Sequence, residues 1–504
     1  MSNYLVGVDI GTGSSKGVLI ETQNGSLLAQ ATIPHGVSLP HPGWVEQDAE
    51  KIWWGEFVQI VQELLQESGV APQDILGVGV SGIGPCVLPV DEEFKPLRPA
   101  ILYGIDTRAT AQIEQYLDEL GSDEVFRRAG CELSSSALAP KILWLHHHEP
   151  EVYKKARWFL TCQNFIVARL TGRASIDYYT ASTYSPIIDV EKRSWIDETT
   201  AGINPTAKLP EKYWTTAVIG GVTAQAAEIT GLHEGTPVIA GTIDAAAEAV
   251  SIGNYAVGDT MGMFGSSNSI ITITSAYTRS KTFWGLNWLF PDQYAVVGGM
   301  ATVGSLTKWF LENVFRVDPE AQGENPYAQM SDLLTMSEPG ANNLVALPYF
   351  EGERTPINDP TAKGVFFGLT LRHTQADLYR ALLEAVGFGI RHNLEKLAEE
   401  DIKVGLINAV GGGAKNLGWM QVISNIADVD VRIPQGISGA AYGDAILAGI
   451  GVGLYKDASQ AKIWDKTALY LKPDLADVEV YDRLYKVYRD LYQQTRNLLP
   501  SLTQ

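Results

Sequence analysis

The chain has 504 residues, 45% hydrophobic and 19% charged, enough for roughly two or three domains, each with its own core. Its formal net charge of −20 excludes broad nucleic-acid or anionic-membrane binding, which needs basic patches, but allows an anionic nucleotide in a local cradle. Cys86, Cys131 and Cys162 are too few and too widely spaced for a disulfide framework or a zinc site, and no signal peptide or membrane-length apolar run occurs, so a cytoplasmic protein is expected.

Leu5, Val6, Val8 and Ile10 form an apolar run that predicts a buried strand ending in Gly11-Thr12-Gly13-Ser14-Ser15-Lys16. Gly11 and Gly13 let backbone N–H groups turn toward a ligand, the hydroxyls add donors and Lys16 adds a point charge. That is a cradle for phosphate. Asp9, at the strand's end, is placed to hold Mg²⁺ through water, because this ion takes one or two carboxylates and keeps several waters. No Gly-Lys-Ser/Thr occurs, so the loop is not a P-loop. It is not a dinucleotide fingerprint either, since Lys16 stands at the third glycine position and a strand, Gly17 to Ile20, follows where a helix should. Asn24-Gly25 then turns into a third strand, Ser26 to Ile33. Taken alone, the stretch is equally a plain β-hairpin.

Pro40 to Gln47 reads as a loop, and Asp48 caps a helix from Ala49 to Glu67. A strand from Ile75 to Ser81 ends in the tight turn Gly82-Ile83-Gly84-Pro85, the kind of strand end where open α/β sheets bind ligands. Strand-like Val87 to Val90 and Pro99 to Tyr103 lead to Asp106-Thr107-Arg108 and a helix ending near Leu120. Residues 122–172 read as short helices; His146, His147 and His148 point in different directions and are expected at a surface, not at a metal. Gly235 to Ala240 is a strand, followed by a helix that starts at Ala245. Between them, Asp244 is either an N-cap or a carboxylate delivered to a cleft.

The second half repeats the opening. Thr260 to Phe264 is a strand, Gly265-Ser266-Ser267-Asn268 a hydroxyl-rich turn, and Ser269 to Thr274 the returning strand. Tyr294 to Gly298 and a helix from Ser305 to Phe315 complete a pattern that occurs twice, roughly 250 residues apart. Two such hairpins facing each other would grip a polyphosphate. Asp377 to Lys396 is a long amphipathic helix, and Val404 to Val410 a strand opening into Gly411-Gly412-Gly413-Ala414-Lys415-Asn416 before the helix Leu417 to Ala427. Those glycines permit close approach of a purine or ribose. Residues 438–453, rich in small side chains and carrying Asp444, read as a tightly packed buried helix, and Tyr481 to Leu499 as a closing amphipathic one.

The chain resembles the FGGY family of carbohydrate kinases nearly end to end, most closely its xylulose-kinase-like members. The resemblance rests on Asp9-Ile10-Gly11-Thr12-Gly13 with Lys16, Gly43-Trp44-Val45-Glu46-Gln47-Asp48, Lys141-Ile142-Leu143-Trp144 and Asp244-Ala245-Ala246-Ala247. Gly352-Glu353-Arg354-Thr355-Pro356, Gly364-Val365-Phe366-Phe367-Gly368-Leu369 and Gly411-Gly412-Gly413-Ala414-Lys415 follow in order. It implies an α/β, actin-like (ribonuclease H-like) duplicated two-domain fold with an interdomain cleft. The expected domains are residues 1–246, with the sugar side, and 247–504, with the nucleotide side, the last helix being a candidate to pack back on the first domain.

The resemblance further implies ATP-dependent phosphorylation of a small sugar, polyol or sugar acid, with Asp244 as general base and Asp9 organising Mg²⁺. Gly11, Thr12, Gly13, Ser14 and Lys16, with Gly265 and Ser266 opposite, would hold the phosphates, and Gly304, Lys308, Gly412, Gly413 and Asn416 the rest of the nucleotide. Two departures bear on the sugar. Xylulose kinases carry a Ser-Gly-Gln-Met-His-Gly-type loop where this chain has Ser81-Gly82-Ile83-Gly84-Pro85-Cys86, and an Asn where it has Ala245. Gly84, Pro85, Asp106, Arg108 and Asp244 are therefore the expected substrate residues, with altered selectivity. ATP and a sugar are the expected partners, without nucleic acid or membrane and with a homodimer left open. A non-catalytic actin-like nucleotide switch is the competing reading.

Overall fold

The computed structural model describes residues 3–316, 326–474 and 476–502. Strand β1 (Tyr4–Ile10) is buried along nearly its whole length, which is why its sequence is a continuous apolar run and not an alternation. It pairs antiparallel with β2 (Ser14–Glu21), which pairs antiparallel with β3 (Leu27–Pro34). On its other side β1 pairs parallel with β4 (Ile75–Gly82), and β4 pairs parallel with Pro237–Ile239. Helix α1 (Gly55–Ser68) covers one face, packing Phe57, Ile60, Val61 and Leu64 into the first core. Asp48 caps the π-helical segment Ala49–Trp54 that runs directly into α1, its side chain accepting from the Lys51 amide at 2.9 Å.

The second half builds the same arrangement. Strand β5 (Thr260–Phe264) pairs antiparallel with β6 (Asn268–Thr274), and β6 with β7 (Tyr294–Gly298). On its other edge β5 pairs parallel with β8 (Leu406–Val410), and β8 with Asp430–Ile433. An antiparallel meander continued by parallel strands thus occurs in both sheets, and the repeat inferred from turn chemistry is a repeat of topology. Trp284–Asn287 adds an edge strand absent from the sequence reading.

Helix α2 (Asp244–Ser251) leaves the first sheet, and α3 (Gly304–Phe310) follows β7. The long helix α4 (Gln375–Glu399) opens with a capping box in which Thr374 and Asp377 bond each other's backbone. Helix α5 (Leu417–Ala427) follows β8, and α6 (Ala440–Gly451) is buried on all but its last turns. The closing helix α7 (Val478–Thr495) does not return to the first domain: Tyr481, Leu484, Tyr485 and Tyr488 join α4 and α5 in the second domain's own core. Its aromatic stripe finds Phe388 and Tyr349 there, and Tyr349 and Tyr488 share a 2.7 Å hydroxyl contact.

A third core joins the halves, formed by Leu5 and Ile20, Ala246, Ala247 and Val250 of α2, Met261 and Ile271, and Ala441, Tyr442 and Ala445 of α6. Backbones touch here. A Cβ on Gly7 would lie 1.9 Å from the Ala441 oxygen, on Gly79 2.1 Å from the Asp444 oxygen, and on Gly443 1.9 Å from the Ala247 oxygen. Gly443→Ala is expected to cost about 2–3 kcal/mol of stability, because a carbonyl oxygen in helical hydrogen bonding cannot retreat. Gly405→Ala, whose Cβ would meet nothing within 4 Å, should stay within about 0.5 kcal/mol. Denaturant unfolding of both variants checks this; equal losses would show that close backbone approach is not the constraint.

Candidate active site

The turn between β1 and β2 is braced from behind. The Gly11 carbonyl accepts from His35 Nε2 at 3.0 Å, the Thr12 carbonyl from Gln47 Nε2 at 3.1 Å and the Gly13 carbonyl from the His35 amide at 3.0 Å. Gln47 is itself held by Trp53 Nε1 at 2.9 Å, and His35 Nδ1 lies 2.8 Å from Glu56 Oε2. With the carbonyls engaged, the amides of Thr12 and Gly13 have no acceptor among the described residues and are left for a ligand. Gly11 donates to the Ser14 carbonyl at 3.0 Å, closing the turn, and Lys16 is exposed beside Asp9 in the strand pairing.

The turn between β5 and β6 reaches the same arrangement with different residues. The Gly265 carbonyl accepts from the Gly304 amide at 2.9 Å, and the Ser266 carbonyl from the amides of Val303 at 2.9 Å and Ser305 at 3.1 Å. The amides of Ser266 and Ser267 have no acceptor among the described residues. This turn opens onto a cavity of about 640 Å³ whose lining includes Gly265, Ser266, Gly304, Lys308, Gly412, Gly413 and Asn416, with Trp419 and Tyr379 as its aromatic walls. All seven nucleotide-side residues expected from sequence therefore share one cavity. The first hairpin does not line it. Gly11, Thr12, Gly13, Ser14 and Lys16 sit instead on the acidic side of the cleft, where Thr12 Oγ1 lies 3.5 Å from the Tyr103 hydroxyl.

Four carboxyls converge where β1, β4, α2 and α6 meet. Asp244 is the first residue of α2, with Ile243 in the cap position, so the capping role is not its own. Its Oδ1 accepts from the Ala245 amide at 2.7 Å. Burial, then the nearby Asp9 charge, pushes its carboxyl up to about 8. Burial pushes Asp9 up to about 6, with Lys16 opposing. Glu248, one helical turn beyond Asp244, is raised by burial to about 7. Asp444 is fully buried and held well above the usual carboxylate range by burial. The Ser81 hydroxyl bridges the halves, 2.6 Å from Asp444 Oδ2 and 3.3 Å from Asp9 Oδ1. Glu248 was legible in principle, being four residues after Asp244 on one helix face. Asp444 and Ser81 were not, because nothing in either segment announces that the two meet.

A second pocket, of about 260 Å³, is lined by Asp244 together with Gly84 and Pro85. Tyr103, Tyr179, Trp284 and Leu286 give it apolar walls; its polar groups are Glu132, Ser136 and Ser269, which the sequence did not single out, and Arg354, which stands in the Gly352–Pro356 motif without a role assigned from sequence. Asp106 and Arg108 lie outside it, a correction with a clear cause. Asp106 is fully buried and accepts from the Val45 amide at 2.7 Å, and the Arg108 guanidinium closes on Asp106 at 2.7 Å and Glu46 at 2.8 Å. Arg108 also stacks 4.1 Å over Trp44, so the pair holds the Gly43–Asp48 segment in place, and the fully buried arginine side chain is not presented to a sugar. The His146–His148 run emerges at the surface as the end of a helix, Leu138–His148, that is otherwise buried.

No group of three or more His, Cys, Asp or Glu side chains arranged to hold a metal occurs among the described residues. The donor set still fits Mg²⁺, which needs one or two carboxylates and phosphate oxygens. Asp9 Oδ2 has no hydrogen-bond partner, and Asp9, Asp244 and Glu248 repel one another in a way a dication would relieve.

A duplicated two-domain cleft with a glycine-lined cavity on one side and an acid-floored pocket on the other is the arrangement of an actin-like phosphotransferase. The FGGY family of carbohydrate kinases, N-terminal domain, matches residues 4–251, and its C-terminal domain residues 260–452. The xylulose kinase of Bacillus subtilis (strain 168) is 28% identical over 99% of this chain and 98% of its own length. The gluconokinase of the same organism is 27% identical over 89% of this chain and 87% of its own. The crystal structure of xylulose kinase from Rhodospirillum rubrum superposes with a TM-score of 0.90 at 31% identity, covering 99% of this chain and 100% of that one. The chain belongs to the FGGY family of carbohydrate kinases: it is a kinase that phosphorylates a sugar at the expense of ATP. The nucleotide-switch reading gives way.

The raised Asp244 carboxyl carries a stability signature. A carboxyl bound more tightly to its proton in the fold contributes stability that is present below the unfolded value of 3.8 and lost as pH rises through about 8. In the metal-free protein, Asp244→Asn should therefore raise the melting temperature at pH 9 by about 2–4 °C and change it little at pH 5. Thermal melts at both values test this; an equal shift at both would mean that charge burial is not the cause.

Proposed function

We propose that this kinase transfers the γ-phosphoryl of ATP to a hydroxyl, a terminal one, of a small ketose, polyol or sugar acid, with Asp244 as general base. The observation that carries this reading is the place of Asp244, at the floor of a pocket of sugar size with Pro85, Gly84 and two tyrosines around it. Its Oδ1 is occupied by a backbone amide, which leaves Oδ2 to accept the hydroxyl proton. A base with its pKa near working pH suits that task.

In this reading the outward amides of Thr12 and Gly13, with Ser14 and Lys16, meet the phosphates from one side. Those at Gly265 and Ser266 meet them from the other, while Gly304, Lys308, Gly412, Gly413 and Asn416 hold the remainder of the nucleotide. Asp9 would hold Mg²⁺, which when bound neutralises phosphate charge. The proposed domains, 1–246 and 247–504, meet inside α2, so the hinge itself carries the base. Closure about it would bring the two hairpins together and exclude water that could hydrolyse ATP. The cytoplasm, where ATP is plentiful, is the proposed location.

The acceptor is proposed as a class. Relatives named for xylulose and for gluconate match at similar identity. Ala245 and Pro85 remove polar groups on which xylulose kinases rely. ADP release should respond to one compound in a panel containing D-xylulose, D-gluconate and sugar alcohols, and silence across such a panel would sink the class. Asp244→Ala should lower kcat by about 10³-fold while the Kd for Mg-ADP, measured by calorimetry, changes less than about threefold. Sugar-dependent turnover near the wild-type rate in that variant would remove Asp244 as the base.

A further inference from the structure

The only cationic side chain lining the acid-floored pocket, among the described residues, is Arg354, and none of the functions above uses it. Its loop is built to fix it. Gly352 adopts a φ of 72°, and the Thr355 hydroxyl donates to Asn393 Oδ1 at 2.6 Å while accepting from the Gly299 amide at 2.7 Å. The guanidinium is then clamped through Nη2 to two main-chain carbonyls, Asn268 at 2.8 Å and Met300 at 2.7 Å. Asn268 closes the second phosphate turn, and Met300 lies on the segment leading to α3, which braces that turn. Arg354 therefore sits between the phosphate turn and the pocket that holds Asp244.

Its charge has no ion-pair partner among the described residues, although the adjacent Glu353 acts on it through space. Glu353 spends Oε1 on the Ala301 and Arg354 amides, at 2.6 and 2.7 Å. Nε is buried with no partner, and Nη1 has no protein acceptor. Burial holds the group below the usual arginine range, so the site disfavours the cation until an anion joins it. A fixed, half-buried positive charge that costs no reorganisation is the arrangement that stabilises charge appearing during a reaction.

We propose that Arg354 is a further catalytic residue of this kinase, its guanidinium contacting the equatorial oxygens of the phosphoryl group in transit between the second phosphate turn and Asp244. The assignment rests on the function proposed above. In the step, a lone pair of the acceptor hydroxyl forms the new O–P bond. The bond from the γ-phosphorus to the β,γ-bridging oxygen breaks with its electron pair remaining on ADP, and the hydroxyl proton passes to Asp244. Arg354 gives and takes no proton; it holds negative charge that the resting sugar lacks.

The test is steady-state kinetics of the full chain with Mg-ATP and whichever of D-xylulose and D-gluconate the wild type phosphorylates faster. Arg354→Gln should lower kcat by about 10²–10³-fold, and Arg354→Lys by about tenfold or more, with both KM values within about threefold of wild type. Guanidinium ion at tens of millimolar should raise the kcat of Arg354→Gly by about tenfold or more, a rescue that a loop brace would not show. A raised sugar KM at unchanged kcat would overturn the proposal by making Arg354 a reader of the resting sugar. Loss of kcat together with a matching loss of Mg-ADP affinity, without rescue by guanidinium in Gly or recovery in Lys, would overturn it in favour of a structural brace. A wild type with no sugar-dependent turnover would take down the underlying function as well, whereas an active wild type with equally active Arg354 variants takes down this assignment alone.

Discussion

The contact on which the rest depends is backbone against backbone, where α6 crosses β1 and β4 and is crossed by α2. Carbonyl oxygens of Ala441, Asp444 and Ala247 occupy space a side chain would need at Gly7, Gly79 and Gly443. Such approach is open only to glycine, and it pulls the ends of two parallel strands and the start of one helix to a single point. Asp9, Ser81, Asp244 and Asp444 are at that point because of it. Their burial is a consequence of packing, and their raised pKa values a consequence of burial. Stability of the hinge and poise of the carboxyls are thus one property seen twice.

The two hairpins show how a backbone can be made to bind an anion. A turn presents amides outward only if its carbonyls are satisfied from behind. In the first half His35 and Gln47 do this; in the second the main chain from Val303 to Ser305 does. The Gly43–Asp48 segment, which looks on its own like a surface loop, exists to deliver Gln47, and the buried Asp106–Arg108 pair exists to hold that segment. A chain of support runs from the half-buried Trp44 through Arg108, Asp106 and Gln47 to the carbonyl of the turn whose amides are proposed to meet phosphate.

This also marks what the sequence could and could not disclose. Local signals were legible. The strands around Gly11 and Gly265, the cap at Asp48 and the helix after Asn416 depend on neighbours in the chain, and the resemblance ordered the nucleotide-side residues into what proved a single cavity. Asp106 and Arg108 misled because two charged residues after a strand look like ligands, and only the structure reveals that each satisfies the other. The closing helix misled because an amphipathic stripe says that a partner exists, not which. Ser81 with Asp444, and Arg354 with Asn268, join segments far apart in the chain, and no pattern within either member predicts the other.

The charges of the site fall into two sets. The carboxyls, Asp9, Asp244 and Glu248 from the first half and α2 with Asp444 from the second, repel one another, and the donors are the outward amides of both turns with the Arg354 guanidinium, which has no ion-pair partner among the described residues. Each set alone is unfavourable to assemble; each is relieved by the other's natural ligand, a dication for the acids and phosphate for the donors. In the proposed function Mg-ATP would supply both at once, so the ligand that the reaction consumes would also be the one that favours bringing the halves together. Closure would then depend on a complete substrate set, and the electrostatic cost of closing without it would suppress the hydrolysis that an always-closed site risks.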